Sequence, residues 1–83
     1  MEKFPTLKPN QTALLRAESA TGHVLDEKFD LAISDDQVVF TVFESEQEAL
    51  IAAKKIISEN KNIECIIYGP GENPLHQLDH RTW

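Results

Sequence analysis

The sequence has one cysteine, Cys65, so no disulfide can form within the chain and the fold must be held by packing and hydrogen bonds. That thiol economy suits a reducing compartment. No run approaches the roughly 18–20 apolar residues needed to span a bilayer, so no membrane association is expected. The opening residues, MEKFPTLKPNQ, lack the apolar region and small-residue cleavage site of a secretory signal. These absences together give a cytoplasmic expectation. No repeat, low-complexity tract or linker interrupts the 83 residues, and that length fits one domain, residues 1–83. Such a short chain buries only roughly 60–65% of its unfolded surface.

Basic residues are also scarce, and they are unevenly placed. Residues 18–48 hold nine acids and one base, Lys28, for a local charge of −8 within a chain of −6 overall. Phosphate backbones would be repelled there, and no basic stripe compensates, so nucleic-acid binding is not expected. A basic protein partner would be attracted. The competing explanation is that the acids serve only solubility.

Catalytic signatures are missing. Gly69-Pro70-Gly71 follows a strand but matches neither a dinucleotide-binding loop nor a Walker loop. Asp30, Asp35 and Asp36 lack the spacing of a calcium loop. Cys65 falls mid-strand on an apolar parity, where cysteine acts as a small hydrophobe. His76, Asp79 and His80 would share one face if helical and so raise the idea of a metal site. They occur in a polar tail after a Gly/Pro-rich loop, with no fourth ligand nearby, and solvation accounts for them better. Neither a cofactor nor a resident metal is expected.

What the sequence does contain is periodicity. Residues 1–11, with Pro5 and Pro9, read as an irregular lead-in. Residues 12–18, TALLRAE, alternate as a strand. After a small-residue turn at 19–22, residues 23–33 read as a second strand, antiparallel to the first. Leu25, Phe29, Leu31 and Ile33 share one parity there, and Glu27 breaks it, which suggests a bulge or an edge. Ser34-Asp35-Asp36 is a turn signal. Residues 37–43, QVVFTVF, are apolar on both parities and read as a central strand.

The helix signal is the strongest. Ser45 and Glu48 match a capping box. Ala49, Ala52, Ala53, Ile56 and Ile57 then form one apolar stripe whose alanines imply close approach to a sheet. Asn60-Lys61-Asn62 ends the helix, with asparagine able to turn left-handed. Residues 63–68, IECIIY, are the last strand expected, and 70–83 read as loop and tail.

The expected fold is therefore α+β, in the order β-β-β-α-β, with a four-stranded mixed sheet and one helix packed on one face. One helix cannot cover both faces of that sheet, yet Val38, Val42, Ile66 and Tyr68 suggest apolar surface on the second. The lead-in, the tail with Leu75, Leu78 and Trp83, a second copy, or a partner must cover it.

Three functions follow as expectations. The first is a non-enzymatic protein–protein interaction module, in concrete form a small acidic inhibitor or immunity-type protein blocking a basic partner. Its binding residues would be Asp26, Glu27, Asp30, Asp35, Asp36, Glu44 and Glu46. The second is a homodimeric structural or regulatory domain associating through Val38, Val42, Ile66 and Tyr68. The third is a small metal-binding protein or enzyme using His76, Asp79, His80 or Cys65.

Overall fold

Strand β1, Thr12–Glu18, has the burial of a central strand in the computed structural model, which describes residues 3–81. Ala13 and Leu14 are fully buried on opposite faces, and Thr12, Arg16 and Ala17 are nearly so. Strand β4, Ile63–Gly69, pairs antiparallel along one edge of β1, from Ala13 opposite Tyr68 to Glu18 opposite Ile63. The other edge is shared end to end. Strand β2, Val24–Leu25, lies opposite Arg16 and Ala17. Strand β3, Phe40–Phe43, lies opposite Thr12 to Leu15. Strand β5, Asn73–Leu78, completes the sheet on the outer edge of β4.

The fold is one α+β domain, as its periodicities imply, but its sheet has five strands and every pairing is antiparallel. The strands flanking the helix run in the same direction without touching, because β1 lies between them. The residues 37–43 do not form the central strand. Pairing begins only at Phe40, and Val38 is 40% exposed. Being apolar on both parities is also what a strand beside β1 needs when each face is partly covered.

The fifth strand arises where a tail was expected. Pro70–Glu72 form a short 3-10 turn, and Gly71 and Glu72 both take positive φ, 72° and 59°. Two successive left-handed residues reverse the chain in the sense that suits a twisted antiparallel pair. Pro74, which has no N–H to donate, sits on the edge strand where that loss is tolerated. Trp83 lies outside the described residues.

Helix α1, Glu46–Glu59, starts where the cap predicts. The Ser45 hydroxyl accepts the Glu48 N–H at 3.1 Å. The helix ends without a left-handed residue: Asn60 is extended (φ −148°), and its N–H still donates to the Ile56 carbonyl. Ala49, Ala53 and Ile57 are buried against Leu14, Ile63, Cys65 and Ile67, with Phe43 and Leu50 at the margin. Alanine at two of the three buried helix positions lets the backbone approach the sheet closely.

On the opposite sheet face, the lead-in supplies the cover. The Phe4 ring meets Phe40 at 5.2 Å and Tyr68 at 5.6 Å between centroids, both edge to face. Each such pair contributes about 1 kcal/mol beyond its buried area.

Arg16 joins the two short strands on the shared edge. Its guanidinium is buried and donates to the Asp26 carbonyl at 3.2 Å, the Val39 carbonyl at 3.0 Å and the Thr41 hydroxyl at 2.8 Å. Replacing Arg16 with Met keeps the aliphatic stem but strands these acceptors. We expect Arg16→Met to cost about 3 kcal/mol in urea unfolding. A loss below about 0.5 kcal/mol would show that the arginine does not join these segments.

Candidate protein-interaction surface

The residues 23–33 do not form the long strand that their alternation suggests. Only Val24 and Leu25 pair with β1, and the chain then turns back on itself, with Leu31 opposite Leu25. The turn is gathered by Asp26, a buried residue whose carboxylate accepts bonds from within it. One oxygen accepts the Lys28 N–H at 2.8 Å and the Asp30 N–H at 3.0 Å. The other accepts the Gln37 amide at 2.8 Å. Phe29 takes φ 68°, unusual for an aromatic residue, at the tip of this turn.

Gln37 organises the second half. Its carbonyl oxygen accepts the Ile33 and Ser34 N–H groups at 2.7 and 2.8 Å. Its amide also donates to the Leu31 carbonyl at 2.8 Å. The Glu27 N–H closes the base by donating to the Val38 carbonyl at 2.8 Å. Arg16 meanwhile holds the carbonyls of Asp26 and Val39, the two ends of the segment. Residues 26–39 thus form a long connection held by these side-chain bonds together with a few backbone bonds and one isolated bridge. Loops of this length in small domains are usually either functional or disordered, and this one is densely bonded.

The loop holds its backbone polar groups inward and displays apolar and acidic side chains outward. Ile33 is 88% exposed, and Phe29, Leu31 and Val38 are 40–47% exposed. These are four of the seven large apolar side chains that the described residues expose. Glu27, Asp30, Asp35 and Asp36 are exposed in the same segment. Phe29 lies toward Ile56 and Ile63, Leu31 and Ile33 lie toward Val24, and Val38 lies with Glu27 and Asp36. A groove lined by His23, Val24, Leu31, Ala32 and Ile33 runs along its flank.

The seven acids singled out by sequence therefore divide. Glu27, Asp30, Asp35 and Asp36 are on the loop surface, while Asp26 is the buried residue that shapes it. Glu44 and Glu46 are at the far end of β3. There Glu44 accepts the Gln11 amide at 2.9 Å and Glu46 pairs with His76. The four apolar residues divide too. Val42, Ile66 and Tyr68 share the sheet face turned away from α1, whereas Val38 belongs to the loop. Arg16 and Gln37 were not singled out by sequence; the only signal was Glu27 breaking the alternation.

The C-terminal trio is dispersed. His76 is on a strand, where i, i+3 and i+4 do not share a face, and it contacts Glu46. Asp79 accepts the Arg81 N–H at 2.8 Å. Among the described residues, no three His, Cys, Asp or Glu side chains are grouped to hold a metal ion. Cys65 is fully buried, and burial pushes its thiol up to about 11, with Arg16 acting in the opposite direction.

Two expectations follow. Alkylation of Cys65 at neutral pH should proceed only through opening of the fold, so its rate in native protein should rise with urea; rapid labelling without denaturant would contradict its burial. Asp26 is held below its ordinary value of 3.8, chiefly by the Gln37 amide and then by the Asp30 N–H. Its folded value lies below its unfolded one, so its support is present above pH 3.8 and is lost as pH falls through the lowered value. The stability gap between wild type and Asp26→Asn should therefore close as urea titrations move below that pH, and a gap that stays constant would refute the assignment.

No family model, no curated protein and no solved structure matches the chain. Among the described residues, no helix is long and apolar enough to cross a membrane.

Proposed function

We propose that this protein is a non-enzymatic binding module that docks the 26–39 loop onto a basic protein surface. A small acidic inhibitor of the immunity type, masking a basic partner, is the concrete form of this reading. The observation that carries it is the combination in one segment of internal order with outward Phe29, Leu31 and Ile33 and exposed Glu27, Asp30, Asp35 and Asp36.

Each part of that combination has a physical role in binding. Hydrogen bonds from Asp26 and Gln37 order the loop before contact, which lowers the entropy cost of association. The carboxylates raise the encounter rate with a basic surface and orient the approach. Ile33 and Phe29 supply the desolvated contact that slows dissociation. Cys65, buried with a raised thiol, is poorly placed to act as a nucleophile, which favours binding over catalysis.

The test is capture of partners from the source lysate on immobilised protein at low and at high salt, with two variants in parallel. Reversing Glu27, Asp30, Asp35 and Asp36 to lysine should abolish retention of a basic partner at low salt. With the partner purified, Ile33→Ala should raise the dissociation rate about tenfold and leave the association rate nearly unchanged. A basic partner retained equally by both variants would move the interface off this loop.

A further inference from the structure

The tip of the 26–39 loop leaves an aromatic ring half in solvent near the end of α1. Phe29 is 47% exposed and takes φ 68°. A left-handed backbone is costly for a residue with a bulky side chain, and such strain points to a role for the side chain it presents. The Phe29 N–H donates to the Asp26 carbonyl at 3.0 Å, so the turn that Asp26 gathers also fixes where the ring sits. Phe4, Phe40 and Tyr68 pair with one another, whereas Phe29 has no aromatic or cationic partner among the described residues. Two hollows of about 250 Å³ each adjoin the ring. Ile56 and Ile63 line one with Glu59, and Leu25 and Ile63 line the other with Glu18. Neither Lys28 nor Lys61 lines either hollow. Glu59 is the last residue of α1, whose final turn carries no base. A helix C-terminus is the negative end of the dipole, so Glu59 deepens the negative potential there instead of offsetting it.

We infer that the hollow between Phe29 and Glu59 accepts an arginine side chain of a protein partner. This rests on the reading that the loop docks on a basic protein, and it names the side chain taken at the loop tip. Arginine answers each wall of the site. Its methylene stem can lie along Ile56 and Ile63. Its planar, weakly hydrated guanidinium stacks on an aromatic face, and the Phe29 ring is otherwise unpartnered. Its permanent charge meets the Glu59 carboxylate and the negative end of α1. The second hollow shares Phe29, Asn60 and Ile63 with the first and adds Glu18, so the negative character continues past the ring. Lysine brings the charge without the plane, and water holds its ammonium more strongly. An anionic ligand would meet two carboxylates and the unfavourable end of the helix. Glu18 and Glu59 lie outside residues 26–39, so the site extends the proposed interface onto β1 and α1.

The probes are hexa-arginine and hexa-lysine peptides, titrated into the intact, isotope-labelled protein at about 0.15 M salt, with NMR locating the contact. Hexa-arginine should bind about fivefold more tightly than hexa-lysine and should shift the Phe29 ring and Ile63 methyl signals. Phe29→Leu keeps an apolar side chain against Ile56 and Ile63 and should abolish that preference, whereas Phe29→Tyr should keep it. Glu59→Gln, at an exposed helix end, should weaken hexa-arginine about threefold. Circular dichroism and urea unfolding accompany every variant, and Glu59→Gln carries the test if Phe29→Leu does not fold. Reversing Glu27, Asp30, Asp35 and Asp36 to lysine should leave the arginine preference in place, which separates this site from the loop acids. Equal binding of the two peptides would overturn the proposal, as would a preference unchanged in folded Phe29→Leu or in Glu59→Gln. Shifts confined to Asp35 and Asp36, with Phe29 and Ile63 unmoved, would also overturn it while leaving the docking of the loop intact.

Discussion

The guanidinium of Arg16 holds together the weakest part of the sheet. Two short strands meet end to end on one edge of β1, one of two residues and one of four. Neither is long enough to be stable by ladder bonds alone. A charged group taken out of water is costly unless its donors are matched, and Arg16 is matched by Asp26, Val39 and Thr41. Because two of those acceptors are the carbonyls at either end of the 26–39 loop, the same residue that closes the sheet also fixes where the loop leaves and returns. Its charge also reaches the core, where it opposes the effect of burial on Cys65.

With its ends fixed, the loop needs only internal bonds to take one shape. Asp26 gathers the first turn, Gln37 gathers the second, and the two side chains bond to each other. Four backbone N–H groups are satisfied inside the loop by these two side chains. That is why a segment without regular secondary structure can carry exposed Ile33 and Phe29 in a defined arrangement. The proposed binding role depends on this rigidity more than on the number of acids.

The two sheet faces solve different problems. Under α1, small helix residues against branched β4 residues give a closed core. On the other side, one aromatic residue of the lead-in covers one end, and the rest stays partly open.

Local pattern was enough for the elements whose stability is local or strongly periodic. Alternation in 12–18 and 63–68, the Ser45 cap and the apolar stripe of 49–57 place β1, β4 and α1 close to where they lie, and the count of apolar faces reveals that something must cover the second side. The acids were legible as a charged zone, but not as a surface, because charge in sequence does not say which carboxylate turns inward. Asp26 turns inward because Gln37, eleven positions later, supplies a donor to it, and no periodicity encodes that pairing. Strand β5 was hidden for a similar reason: its residues have weak strand character, and only the exposed edge of β4 makes them one. The core and its helix follow from apolar spacing and can be read along the chain. The loop, the edge strand and the exposed surfaces depend instead on hydrogen bonds between residues distant along the chain, and so emerge only once the chain has folded.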